Sequence, residues 1–301
     1  MKFLTFEIGG QPNFGISIDG RNLVNLTQAW KKIFPHTHAP VDLSEFFASG
    51  VEVESLQRCL SELSAEEFCV MMDEIKILAP IPRPTKNIFC VGRNYREHII
   101  EGNRAAGRDP NDFPKAVEFF SKPPTTVVGH DFEVKAHAEV TNLLDYEIEL
   151  GIVIGKSGSN IKEADALDYV FGFTVINDIT GRDLQKLHGQ WFKGKSLDTT
   201  CPIGPYVTHK SAISDPQDLD LELYVNGDLR QKANTSDMLF TVAQIIEQLS
   251  AGLTLEPGDM IATGTPSGVG FATSPPCRLV AGDEVLARIS GIGDLINRIV
   301  N

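Results

Sequence analysis

The sequence predicts an α+β fold that is mainly β, and three observations point there. Short β-rich runs recur along most of the 301 residues, Asp-Gly and Asn-Gly dipeptides stand between pairs of them, and helical periodicity is confined to a few stretches. No internal repeat or low-complexity segment suggests a solenoid or a disordered array.

The chain opens on the β-rich runs 2–8 and 14–18, an Asp19-Gly20 turn and a third run at 21–26, which reads as a small unit closed by a hairpin. From Thr27 to about Met72 the pattern turns helical, with Leu56, Leu60 and Leu63 spaced to share one helix face. Pro80, Pro82 and Pro84 continue neither a helix nor a central strand. The division therefore falls there: residues 1–79 form a small N-terminal α/β unit of hairpin and helix, and 80–301 form the main domain. Beyond the prolines comes a short strand at 88–91. Asn226-Gly227 marks a second hairpin between 219–225 and 229–231. Residues 241–249 read as a short amphipathic helix, and Pro257-Gly258-Asp259 turns into a strand at 260–263.

A net charge of -13 argues against nucleic acid and anionic membrane as partners, whose phosphates would be repelled. An anionic substrate then needs local positive charge. Residues 1–20 show no signal-peptide pattern, and no run approaches the roughly 18 apolar residues of a membrane span. Five cysteines, scattered and odd in number, read as buried thiols in a reducing cytoplasm.

The most informative feature is Glu147 and Glu149 in the apolar run 143–154. A strand puts i and i+2 on one face, where two carboxylates repel each other unless a cation lies between them. The alternative is the wet face of an edge strand. About thirty residues on, a second apolar run ends in Asp178. Three oxygen ligands with no Cys or His nearby suggest a hard divalent cation, Mg²⁺ or Mn²⁺.

His98 and Glu101 follow the 88–91 strand; on a helix they share a face, so the carboxylate holds one ring nitrogen while the other handles a proton. A solvated helix face is the plain alternative. The stretch 102–114 reads equally as a lid or a surface loop. Gly189 to Ser196 spells G-x-x-x-x-G-K-S, but what precedes it is polar and helical in pattern, so a phosphate loop is rejected. Lys195 then reads as a fixed cation beside an anionic substrate, or as one surface lysine among many. Gly264 and Thr265, in a glycine-rich stretch after a strand, offer backbone N–H groups and a hydroxyl to a carboxylate, though an ordinary turn explains them almost as well. No G-x-S-x-G elbow or H-E-x-x-H spacing is present, which disfavours a serine hydrolase and a zinc peptidase.

Taken together, Gly92-Arg93-Asn94-Tyr95 with His98 and Glu101, Asp145-Tyr146-Glu147-Ile148-Glu149-Leu150, Asn177-Asp178-Ile179-Thr180-Gly181-Arg182-Asp183, Gly194-Lys195-Ser196 and Thr263-Gly264-Thr265-Pro266 resemble the fumarylacetoacetate hydrolase family. The likeness is greatest to its branch of acylpyruvate hydrolases and oxaloacetate decarboxylases. What the resemblance implies is a mixed β-roll with flanking short helices, a catalytic domain over 80–301, a homodimer, and Mg²⁺ or Mn²⁺ held by Glu147, Glu149 and Asp178. It further implies His98 and Glu101 on a lid as the water-activating pair and Lys195 as the active-site lysine. Gln185, Thr265, Gly264, Arg93 and Lys122 become substrate contacts. Many members have Gly where this chain has Ile148 and Ala where it has Gly181; Ile148 is expected to face away from the metal.

The function expected on this basis is C–C bond cleavage of a 2-keto acid through a metal-stabilised enolate: oxaloacetate decarboxylation, acylpyruvate hydrolysis to pyruvate, or both. Isomerisation of an unsaturated 2-hydroxy/2-oxo dicarboxylate is the runner-up. A non-catalytic, metal-dependent 2-keto acid binding protein and a purely structural subunit are the readings from other classes.

Overall fold

The 148–154 strand is the axis of the molecule: Ile148–Ile154 is buried along its whole length and paired on both sides in the computed structural model, which describes residues 1–63 and 65–301. Val170–Asn177 runs antiparallel along one edge, from Asn177 opposite Ile148 to Val170 opposite Ile154. Met260–Ala262 runs antiparallel along the other, and Ile88–Gly92 lies parallel beside Met260–Ala262. Because these neighbours run opposite to the central strand, its first residues stand beside the last residues of the other three. Glu147 and Glu149, Asp178, Gly92 and Arg93, and Gly264 and Thr265 are thereby gathered at one end of the sheet.

Among the described residues twelve strands join this sheet. Lys2–Ile8 pairs with Cys201–His209 through Lys2 opposite Thr208 and Phe3 opposite Val207, so the N-terminal strands extend the main sheet across the proline segment. A second sheet of five strands contains Asp228–Asn234, Asp220–Val225, Glu284–Ile289, Gly293–Val300 and Glu133–Lys135.

The two faces of the central strand meet different partners. Ile148, Leu150, Ile152 and Ile154 pack in one core with Leu221, Leu223, Ala287 and Leu295 of the second sheet and Ile245 and Ile246 of the Val242–Ser250 helix. Val153 lies on the opposite face, in a core with Phe3, Phe14, Trp30 and Phe46 of the N-terminal unit. Glu149 has the parity of Val153, so Ile148 turns away from the carboxylates, as expected. Phe46 is 2% exposed, and truncating such a ring to alanine costs about 3–5 kcal/mol.

Helices are short, none of those described exceeding ten residues. Side chains close their starts: Asn25 accepts from the Gln28 N–H, Asp42 from the Glu45 N–H, and Thr241 forms a capping box with Gln244. The two hairpins fall where Asp-Gly and Asn-Gly predict them, between Gln11–Ser17 and Asn22–Asn25 and between Asp220–Val225 and Asp228–Asn234. The expected helical run to about Met72 is corrected. Val53–Glu62 is helix, Leu63 lies just past it, Ser64 lies outside the described residues, and Cys69–Met71 is a strand on the edge of Asn22–Asn25. An open strand edge offers Cys69–Met71 more backbone hydrogen bonds than a frayed helix end. The cysteine expectation is corrected too: all five are free, but only Cys90 and Cys201 are buried and Cys69 is exposed. No helix among the described residues is long and apolar enough to cross a membrane.

Candidate metal centre and active site

Register builds the site. The Glu147 N–H donates to Asn177 Oδ1 at 3.0 Å, and the Glu147 carbonyl accepts from the Asp178 N–H at 2.8 Å. Carboxylate oxygens of Glu147, Glu149 and Asp178 then lie within 4.8 Å of one another, all three side chains buried. The wet edge-strand reading of the two glutamates therefore fails, since their strand is central and both are shut from solvent.

Cations reach two of the three acids. Lys195 Nζ stands 2.5 Å from Glu147 Oε2 and 2.6 Å from Asp178 Oδ2. Arg182 bridges Glu147 Oε1 at 2.6 Å and Asp145 Oδ2 at 2.9 Å, with its guanidinium 4.5 Å from the centre of the Phe271 ring. Lys122 Nζ lies 2.8 Å from Asp178 Oδ1. Glu149 has no ion pair among the described residues; the Gly264 N–H donates to it at 2.7 Å.

The acids differ accordingly. Burial pushes the Glu147 carboxyl up, but Arg182 and Lys195 outweigh it and hold the group down at about 2. Burial, then Asp178 and Glu147, push the Glu149 carboxyl well above its ordinary value. For Lys195, burial works against the charge, yet Asp178 and Glu147 raise its pKa. Negative charge is thus least compensated at Glu149, inside an all-oxygen donor set. Such a set fits a hard divalent ion better than zinc or copper, which favour nitrogen and sulfur.

Across a cavity of about 820 Å³, the helix Arg96–Ala105 presents the second group. His98 Nδ1 lies 2.9 Å from Glu101 Oε1, and the Gly268 N–H donates to both Glu101 oxygens at 3.2 and 3.1 Å. His98 lines the cavity, and with Nδ1 held, Nε2 is the nitrogen left for a ligand. Glu147, Glu149, Arg182, Gln185, Lys195 and Thr265 line the same space. Arg93, Arg108, Lys186 and Trp191 are also part of its wall.

Three expected substrate contacts have other partners. Lys122 does not line the cavity: fully buried behind Asp178, it also donates to the Ile179 carbonyl at 3.0 Å. Gly264 spends its N–H on Glu149 rather than on a ligand, and at φ +96° a Cβ there would come within 2.8 Å of Asn94 Cβ. Arg93 reaches the cavity wall, but its guanidinium pairs with Glu118 at 3.2 Å and donates to the Asp112 carbonyl. With Asn103, which donates to the Pro110 and Asp112 carbonyls, it braces the 106–113 loop. Gly102 to Ala105 belong to the His98 helix rather than to a loop. Lys195 ends the one-turn helix Phe192–Lys195, preceded by the helix Arg182–Leu187 and no strand, so the rejected phosphate loop has no phosphate-loop setting.

The family model "Fumarylacetoacetate (FAA) hydrolase C-terminal" matches residues 87–300. The chain belongs to the fumarylacetoacetate hydrolase family. Among its relatives, "Oxaloacetate tautomerase YisK" of Bacillus subtilis (strain 168) is 48% identical over 99% of this chain and 100% of its own. The solved fumarylacetoacetate hydrolase of psychrophilic Exiguobacterium antarcticum shares 38% identity with a TM-score of 0.83, covering 100% of this chain and 99% of its own. A 2-hydroxyhepta-2,4-diene-1,7-dioate isomerase from Mycobacterium marinum shares 29% identity at a TM-score of 0.72, with 100% and 98% covered.

For this member of the family, sequence reasoning assigned no role to Asp145, Arg182 or Gln231. Asp145 and Arg182 stand in the same short motifs as Glu147 and Asp178, and an acid two residues before Glu147 was a usable signal. Asp145 accepts the Gly270 and Phe271 N–H groups at 2.7 and 3.1 Å while holding Arg182, so it fixes the cation that steadies Glu147. Gln231, on a polar hairpin strand, carried no signal.

Proposed function

We propose that this protein catalyses keto–enol tautomerisation of a 2-keto dicarboxylic acid of the oxaloacetate type with Mg²⁺ or Mn²⁺. The observation that carries the reading is the buried Glu147–Glu149–Asp178 cluster, whose two glutamates line one cavity together with His98, itself held by Glu101. A divalent ion held by the three acids would supply Lewis-acid charge to the oxygens of a 2-keto acid. His98 Nε2 takes the proton from the carbon beside the keto group, and the same proton passes to the keto oxygen. Glu101, fixed by the Gly268 N–H, holds Nδ1–H and balances the imidazolium that forms between the two transfers. Lys195 keeps positive charge at the wall where the substrate carries negative charge. Thr265 donates its hydroxyl to the 2-keto acid's carboxylate. Arg108 and Lys186, without ion-pair partners among the described residues, give a second carboxylate a basic rim in an acidic protein.

This reading moves weight from C–C cleavage to proton transfer, because a full-length relative carries the name of a tautomerase and a solved neighbour that of an isomerase. Cleavage stays as the second reading: a pair that moves a carbon-bound proton also activates water. A homodimer, a cytoplasmic location and the division at Pro80 belong to the proposal as well, the location supported by five free thiols.

The test follows enol absorbance and pyruvate release together, with oxaloacetate as substrate and Mg²⁺, Mn²⁺ or a chelator present. We expect metal-dependent enol interconversion, and a loss of about 10²–10⁴ in kcat for His98→Ala at unchanged metal affinity. Equal activity in chelator, or a fully active His98→Ala, defeats the proposal. Pyruvate appearing as fast as the enol disappears selects cleavage instead.

A further inference from the structure

Gln231 comes from the second sheet, yet its side chain ends inside the site. It is 1% exposed, and each of its polar atoms has a partner. Oε1 accepts from the Ile148 N–H at 3.0 Å; Nε2 donates to the Pro266 carbonyl at 2.8 Å and to Thr265 Oγ1 at 2.8 Å. Two of these partners leave no choice of direction. A backbone N–H only donates and a carbonyl only accepts, so the amide has a single orientation, with its NH₂ toward Thr265 and Pro266. Both Nε2 protons are then committed, one to each oxygen.

The consequence falls on Thr265. A threonine hydroxyl has one proton and two lone pairs, and Gln231 occupies a lone pair. The proton is left to donate elsewhere, and Thr265 lines the cavity with no protein acceptor for that proton among its hydrogen bonds. We propose that Gln231 is a positioning residue that makes the Thr265 hydroxyl an obligate donor to the substrate carboxylate, tying the direction of that bond to the backbone between Glu147 and Glu149. The inference rests on the reading of Thr265 as a carboxylate contact. It accounts for a buried amide that reaches from one sheet to the other at the site: the same side chain holds the Ile148 N–H, one residue from either ligand, and the donor that reads the substrate.

The experiment is a double-mutant cycle in the full Mg²⁺-loaded protein. Oxalate is the calorimetric probe, and KM and kcat are measured for oxaloacetate. Thr265→Val removes the hydroxyl, and Gln231→Leu frees it without adding charge. Each is expected to weaken oxalate roughly ten- to hundredfold, the worth of one hydrogen bond to a charged group. Gln231→Leu should raise KM far more than it lowers kcat. The double variant should bind no worse than Thr265→Val alone, within about twofold, because Gln231 acts through that hydroxyl. Thr265→Ser should keep most of the affinity. Should Gln231→Leu fail to fold, Gln231→Met, closer in length and without a donor, must show the same pattern. Multiplying losses in the double variant, or oxalate bound normally by Gln231→Leu but not by Thr265→Val, overturn the role of Gln231 and leave the carboxylate contact standing. Normal oxalate binding by Thr265→Val overturns both.

Discussion

Arg182→Met is the perturbation that tests the electrostatics of the site most directly. The side chains of Arg182, Glu147 and Asp145 are 9%, 4% and 0% exposed, so water does not replace the lost guanidinium. Removing one partner of a buried pair costs about 3–5 kcal/mol. A second count comes from Glu147. Its carboxyl is held at about 2 instead of 4.5, and at about 1.4 kcal/mol per pKa unit that is ~3 kcal/mol, shared with Lys195. Asp145 adds a further loss, so both counts point to about 3–4 kcal/mol. For a chain of this size each kcal/mol moves Tm by about 2–4 °C, and the variant should melt roughly 10 °C lower at pH 7 in chelator. The pH dependence has a definite sign. A carboxyl whose folded pKa is depressed contributes stability above its unfolded value of 4.5 and loses it as pH falls through about 2. The gap between parent and variant should therefore be full at pH 7 and narrow below about pH 4.5. Mg²⁺ or Mn²⁺ should raise Tm more in the variant, whose carboxylates are less neutralised. Thermal melts followed by circular dichroism across pH, with and without metal, measure all three. A Tm within about 2 °C of the parent at pH 7, or a gap that does not narrow in acid, refutes the reasoning.

Three further outcomes are expected. Glu149→Gln should lower Mn²⁺ affinity more than about a hundredfold, since losing an outer partner alone costs ~10–100-fold. In the parent, burial and the neighbouring acids raise the Glu149 carboxyl, so metal must displace a proton and affinity should fall with falling pH. Calorimetry in two buffers of different ionisation enthalpy should show proton release for the parent and less for Glu149→Gln; equal release clears Glu149 of that part. Arg108→Ala should raise KM for oxaloacetate about tenfold while leaving oxalate affinity unchanged, if the rim reads a second carboxylate with one charge-assisted contact. An unchanged KM removes Arg108 from substrate recognition.

Much of the candidate site was legible because the acids break a pattern. Glu147 and Glu149 interrupt an apolar run, Asp178 ends another, and His98 and Glu101 carry helical spacing, all local signals that need no partner to be seen. Arg182 and Asp145 lay in view without a role: Arg182 sits in a polar stretch that looks like surface, and Asp145, though inside the apolar run, shows no purpose until its partner Arg182 is known. Lys122, Gly264 and Arg93 show the converse. Each was the right type for a substrate contact, yet Lys122 turned to Asp178, Gly264 to Glu149 and Arg93 to Glu118. The Cys69–Met71 strand was missed because its stability comes from the free edge of Asn22–Asn25 rather than from its own residues.

By itself the sequence determined what depends on neighbours along the chain: the mainly β class, both hairpins, the capped Val242–Ser250 helix, and which acids and bases break the local pattern. Turn geometry, capping and side-chain alternation act over a few residues, so their signals survive without coordinates. Tertiary structure alone decided which charges meet. Antiparallel pairing of Ile148–Ile154 with Val170–Asn177 sets Asp178 against Glu147, and Gln231 arrives from a different sheet to orient Thr265. Those encounters join residues some thirty positions apart in the chain, and the Gly264 N–H reaches Glu149 from more than a hundred. Burial then fixes their charge states, because a carboxylate away from water takes its pKa from the cations that packing places beside it.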